Sequence, residues 1–243
     1  MMIPILMYHQ IAVPPPKGTR LRGSTVHPAR FARQMQWLKR LGYTGLSLAE
    51  LEPYVLGQKT GRVVGITFDD GYQNVHDNAL PILQELGFSS TNFIVSGEID
   101  GQNTWAQGAG SPPAKLMCES SILQWVDAGQ EIGSHTVSHE RLAELEPDQV
   151  YEQLQRSKYE LERLLQSEVH SFCYPYGSYN DAAKAQVAAL GYKRAVTTER
   201  GLAQAHDDIH ALPRVTVLRS THLIHFLRKI LTQYENKKRA GKD

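Results

Sequence analysis

Three clusters of chemically capable side chains each follow a short apolar run. The run 62–68 ends in Asp69-Asp70-Gly71. The run 131–134 leads into His135-Thr136-Val137-Ser138-His139. The run 169–173 leads into Tyr174-Pro175-Tyr176-Gly177. Adjacent carboxylates behind an apolar strand are costly unless solvated, paired or bound to a cation. Extended backbone points neighbouring side chains apart, so Asp69 and Asp70 are expected to have different tasks. Two histidines four apart share a face if they lie on a helical turn, where both rings reach one ion. The Tyr-Pro-Tyr-Gly run reads as a rigid turn carrying amphipathic rings. Each cluster alone also has a bland explanation: a solvated turn, a chance pair among ten histidines, an aromatic turn. Together, one carboxylate and two histidines make three ligands for a catalytic zinc with one position left for water. The spare carboxylate is then a natural general base. The same donors suit a two-His-one-carboxylate iron site, although such sites usually sit on all-β scaffolds. The Glu of HExxH is missing, which speaks against a metalloprotease.

The elements that would carry these clusters alternate. The pattern predicts strands over 3–9, 43–48, 62–68, 91–95, 131–134, 169–173, 194–197 and 215–218. Helices are predicted over 27–41, 49–56, 74–86, 120–128, 149–165, from Asn180 to 190, and over 221–234. Residues 96–118 show little periodicity and read as a long loop carrying Trp105. Residues 235–243 read as a frayed charged tail. Trp37 and Trp125 sit in helical periods and read as core. Repeated strand–helix alternation without a Pro/Gly/Ser-rich linker favours one α/β domain over 1–243 with a parallel sheet or barrel, whose sites lie at strand C-termini.

Composition narrows the class. The 243 residues hold 26 Lys+Arg against 25 Asp+Glu, a formal charge of +1. That balance argues against a nucleic-acid or acidic-membrane binder. Two cysteines make no disulfide framework, and Cys173 is not expected to pair with Cys118. No apolar run has the length of a membrane span, and the first residues lack the regions of a signal peptide, so a cytoplasmic location is expected. Oligomeric state is not readable.

The sequence resembles the polysaccharide deacetylases of the NodB-homology, carbohydrate esterase family 4 type. Thr67-Phe68-Asp69-Asp70-Gly71 resembles the family's first motif, Ser134-His135-Thr136-Val137-Ser138-His139 its second, and Tyr174-Pro175-Tyr176-Gly177 its third. The match runs in the right order from about residue 62 to 177, and the first two motifs together are highly specific. The resemblance implies a distorted (β/α)7 barrel, a divalent metal (usually zinc), and hydrolysis of N-acetyl groups on sugars. It implies Asp69 as general base, Asp70, His135 and His139 as metal ligands, and the Tyr176 backbone N–H as part of the oxyanion hole.

Two departures stand out. The Arg that opens the family's third motif and steers the catalytic Asp is Cys173 here. Arg214, expected at the start of a late strand, is the candidate replacement. The family's C-terminal Leu-x-x-His, which supplies the general acid, has no counterpart after Val215, but Leu6-Met7-Tyr8-His9 has that spacing. A closed barrel lets a strand from either chain end fill one slot. A circularly permuted arrangement with His9 as the acid is therefore expected, similar to the poly-N-acetylglucosamine deacetylase-like subgroup. Trp105 and Tyr176 are candidates to stack on sugar rings. Two other functions stay open: an amide hydrolase of this fold acting on a non-sugar, and an inactive carbohydrate-binding module. Acetate release from N-acetylglucosamine oligomers separates the deacetylase from the first, and binding without acetate release would mark the second.

Overall fold

A computed structural model describes residues 2–19, 22–107 and 113–240. Its strands are β1 (Ile5–Tyr8), β2 (Gln10–Ile11), β3 (Thr25–Val26), β4 (Thr44–Leu46), β5 (Val63–Phe68), β6 (Thr91–Ile94), β7 (Glu131–Ser134), β8 (Ser171–Cys173), β9 (Arg194–Arg200) and β10 (Leu212–Thr216). β1 pairs in parallel with β10 on one edge and β5 on the other, and β5 to β10 follow in order. The result is the expected ring of seven parallel strands wrapped by helices. The first strand closes it, seated between β5 and the last strand. β4 lies beside the first half of β5, and β6 takes the second half of the same edge.

β5 reads Val-Val-Gly-Ile-Thr-Phe and is buried at every residue, as a parallel strand covered on both faces must be. Inside the ring, Ile5, Val63, Phe93, Cys173, Val196 and Leu212 pack with Leu48, Leu51 and Val55. Those last three belong to the helix Leu48–Val55, which plugs the N-terminal end of the barrel. The Leu48 N–H donates to Thr91 Oγ1, the Ala49 N–H to Glu131, and Arg194 Nε to Glu52, so the plug is tied to the first residues of three strands. With that end stoppered, the strand C-termini are left to form a site. Outside the ring, Tyr8, Phe31, Phe68 and Trp125 meet at centroid distances of 5.2–5.9 Å and hold the helices on.

The barrel is distorted where the sequence hinted least. No helix joins β9 to β10. Their register shifts between Leu212 and Arg214, the mark of a bulge, and this aims the Arg214 side chain inward. Arg214 lies within β10, not at its start. Residues 96–107 and 113–118 are more ordered than their composition suggests. They hold the helix Thr104–Gln107 with Trp105, and they bridge Gln102 to Lys115 and Leu116 to Tyr72. Residues 108–112 of that loop lie outside the described residues. The expected frayed tail is instead a helix, Tyr234–Ala240, anchored by a fully buried Glu235 between Lys229 and Arg200. Residues 241–243 lie outside the description. Trp125 is core, but Trp37 is only half-buried, with the Arg40 guanidinium 5.6 Å from its ring. No described helix is long and apolar enough to cross a membrane.

Candidate active site

Asp69 and Asp70 directly follow β5, and the chain holds them in different ways. The Asp69 N–H donates to Tyr8 O at 3.0 Å, which binds the end of β5 to the end of β1. Its two carboxylate oxygens each accept an Arg214 N–H at 2.7 Å. Arg214 is fully buried and spends every N–H: Nε on Thr197 O, Nη1 on Thr67 Oγ1 and Asp69, Nη2 on Asp69 and Cys173 Sγ. A guanidinium has five donors, so none is left over. Burial alone would raise the Asp69 carboxyl, but the charge and hydrogen bonds of Arg214 carry it below the ordinary value. Burial also pushes the Cys173 thiol up, so it packs as a neutral group beside the guanidinium.

Asp70 turns away on left-handed backbone at φ 77°. Its Oδ1 faces His135 Nε2 at 3.4 Å and His139 Nε2 at 3.3 Å. Burial opposes ionisation there too, and the two imidazoles outweigh it, holding the carboxyl well below its usual range. His135 Nδ1 lies 2.7 Å from Cys173 O, an acceptor only. That contact puts a ring proton on Nδ1 and turns Nε2 toward Asp70, where it can meet the carboxylate or a cation held between them.

The histidines converge for a reason the spacing did not reveal. Residues 135–139 are not helical. Thr136 and His139 take φ values of 67° and 60°, and the loop is folded back by Gln153. Gln153 Oε1 accepts the N–H groups of Val137 and Ser138 at 3.0 and 3.1 Å, and its amide donates to Ser138 Oγ. The His139 ring is then clamped. Trp105 stacks on it at 4.6 Å and Tyr176 meets it edge-on at 4.5 Å.

Tyr176 is left-handed at φ 58°, within a turn that Gly177 makes possible. A Cβ on Gly177 would stand 2.1 Å from Thr198 Oγ1. The ring of Tyr176 is 43% exposed at the rim, with the Arg141 guanidinium 4.2 Å from its centroid. His9 follows β1 and is half-buried. The chain just beyond it is pinned by the helix after Asp70: Asn74 Oδ1 accepts the Ile11 N–H, and Asn78 donates to Ile11 O. His9, Asp69, Asp70, His135, His139 and Tyr176 all line one cavity of about 340 Å³ at the C-terminal end of the barrel. Arg214 lies behind that wall. A larger hollow of about 890 Å³, between Ser96 and Leu164, holds neither ligand set.

Among the described residues, two sets of donors lie close enough to share a cation: Asp70, His135 and His139, or Asp69, His135 and Cys173. Only the first fits. Zinc with ligands at about 2.0–2.2 Å in tetrahedral geometry spaces its donor atoms roughly 3.3–3.6 Å apart. The Asp70 contacts fall in that interval and are longer than good hydrogen bonds. In the second set, the Arg214 guanidinium already takes both Asp69 oxygens and touches the sulfur. A cation there would meet a fixed positive charge. The sequence reading gave no role to Gln153 or Thr197 and took Thr67 only as part of the first motif. Gln153 lies within a long helix, and Thr67 and Thr197 lie within strands, away from the polar clusters at strand ends that exposed the others.

The family model for polysaccharide deacetylase matches residues 57–195, more than half the chain. YxkH of Bacillus subtilis (strain 168), which carries the same family name, is 30% identical over 217 residues, covering 88% of this chain and 71% of that protein. The poly-beta-1,6-N-acetyl-D-glucosamine N-deacetylase of Escherichia coli (strain K12) is 26% identical over 251 residues, covering 88% of this chain but 37% of that protein. The solved structure of Streptococcus pyogenes deacetylase PplD in complex with acetate superposes with a TM-score of 0.83 at 30% identity, covering 95% of this chain and 98% of that one.

Proposed function

The chain belongs to the polysaccharide deacetylase family, and from that premise we propose that it hydrolyses N-acetyl groups of an N-acetylated glycan, releasing acetate and a free amine. The observation that carries this reading is the buried Asp70–His135–His139 set, opening onto the same cavity as a clamped Asp69. Poly-β-1,6-N-acetylglucosamine, named as the substrate of the Escherichia coli relative, is the first glycan to test.

Asp70 Oδ1, His135 Nε2 and His139 Nε2 would hold a divalent cation, and zinc suits three mixed N/O ligands with one open position. Such a cation supplies Lewis-acid polarisation of the acetamide carbonyl and a lowered pKa for water. Asp69 acts as general base toward the attacking water, and Arg214 fixes both of its oxygens in orientation. The Tyr176 N–H helps hold the oxyanion. His9 protonates the departing nitrogen, because an amide nitrogen leaves poorly without a proton. His9 arrives on β1, in the slot that closes the ring, which fits the permuted arrangement. One face of Trp105 is taken by His139, so sugar rings are left its edge or outer face, together with the exposed ring of Tyr176.

Acetate release across a panel of N-acetylated glycans and small non-sugar acetamides tests the reading. Release from glycans only is the expected result. Turnover of the small amides alone, or glycan binding without acetate, would overturn it.

A further inference from the structure

We propose that Arg141 selects glycans carrying an anionic oxygen group, a carboxylate or a phosphate, close to the acetamido sugar. Its guanidinium fork pairs with that group at the mouth of the cavity. This deepens the deacetylase reading and rests on it.

Among the described residues, Arg141 is the one Lys or Arg that lines the cavity. It is the opposite of Arg214, which lies behind the wall with every N–H spent. The Arg141 side chain is 48% exposed, and its guanidinium donates no hydrogen bond to any described residue. Glu144 Oε1 stands 3.9 Å from its Nε, beyond hydrogen-bond reach, and Glu144 does not line the cavity. What places the group is the Tyr176 ring, whose centroid lies 4.2 Å from the guanidinium carbon. An aromatic ring attracts a cation without supplying an oxygen acceptor, so the N–H groups stay available.

The backbone fixes where the fork can be. Two residues before Arg141 is the clamped His139, and directly after it the fully buried Leu142 opens a single turn over Leu142–Glu144. Tyr176 itself sits in the left-handed turn described above. An arginine with unspent donors is therefore held in advance beside an exposed ring that a sugar can meet. The rest of the wall favours an anion there. Its two carboxylates are Asp69, already taken by Arg214, and Asp70, assigned to the cation. No other lining residue carries one. A planar guanidinium matches a carboxylate or phosphate through two parallel N–H···O bonds, which are stronger than bonds to neutral hydroxyls.

The test uses three series of oligomers: N-acetylglucosamine alone, N-acetylglucosamine alternating with glucuronate, and N-acetylglucosamine bearing 6-phosphates. Acetate release gives kcat and KM for wild type, Arg141→Gln and Arg141→Lys. Wild type should favour at least one charged series over the neutral one by about 10–100-fold in kcat/KM, the value of hydrogen bonds between charged groups. Arg141→Gln should erase that advantage, with the loss seated in KM. Arg141→Lys, which keeps the charge without the fork, should retain part of it. A loss confined to one charged series identifies the group as carboxylate or as phosphate. No preference in wild type, or a preference that survives in Arg141→Gln, would overturn the inference. Equal losses on neutral and charged series would overturn it too, because support of Tyr176 alone would give that result. Calorimetric binding of the same oligomers keeps the two levels apart. Tighter binding of a charged series that depends on Arg141, without acetate from any series, sinks the deacetylase reading alone. Acetate from all three series, indifferent to Arg141, sinks only the selection.

Discussion

Replacing Arg214 by lysine keeps the charge beside Asp69 and removes the fork. All five guanidinium N–H groups are in use, two of them on the Asp69 oxygens. An ammonium has three donors and no planar pair, so at least two buried acceptors lose their partner. At about 1.5 kcal/mol or more for each hydrogen bond to a charged group, the loss is about 3 kcal/mol. For a chain of this size that lowers Tm by roughly 6–12 °C. The larger effect is on chemistry. A correctly placed general base contributes about 10²–10⁴-fold, and an unclamped Asp69 should forfeit about 10² of it in kcat. Metal content should stay at the wild-type level, because Arg214 touches none of Asp70, His135 and His139. Acetate-release kinetics, elemental analysis and thermal melting on one preparation read all three quantities. A kcat within about threefold of wild type, under 1 kcal/mol of barrier, would refute the claim that the fork positions the base. Loss of metal together with rate would refute the separation of the two carboxylates' tasks.

Other outcomes follow from the same geometry. Asp70→Asn and His135→Ala should lose metal and activity in proportion, read by elemental analysis beside acetate release. His9→Ala should keep its metal and lose about 10²–10⁴-fold in turnover, the usual value of a general acid. Cys118 sits at a helix start, where Ser120 and Ser121 hydrogen bonds lower its thiol to about 7. Thiolate forms above that value, so alkylation at this residue should rise through about pH 7. Peptide mapping should find Cys173 unlabelled until the protein unfolds, since it is fully buried.

The ligand clusters were legible because each sits where a buried strand stops, and polar residues there are costly without a purpose. Their convergence was not. The His135–His139 spacing suggested a helical turn, whereas two left-handed residues and Gln153 make the approach. Left-handed backbone at Thr136 has no composition signal, and Gln153 looks like any polar residue on a charged helix. Arg214 was visible as a candidate only because Cys173 left a vacancy in a motif. The bulge that turns it inward belongs to the pairing of β9 with β10, not to any local pattern. The tail misled for a similar reason. Residues 235–243 read as solvated charge, yet Glu235 is held by Arg200 on β9 and by Lys229 on the preceding helix, contacts that no local pattern announces. Trp105 stood out in the sequence, but the helix and bridges that bring it onto His139 depend on contacts with Tyr72 and Gly71.

The central claim is that the Asp70–His135–His139 set holds a cation without which Asp69 cannot deacetylate a glycan. Its most direct test follows acetate release from poly-β-1,6-N-acetylglucosamine oligomers as the protein is stripped with a chelator and then titrated with Zn2+. The account predicts that release falls to background on stripping and returns with one equivalent of bound metal, and that Asp70→Asn never recovers. Full release from metal-free protein would contradict it.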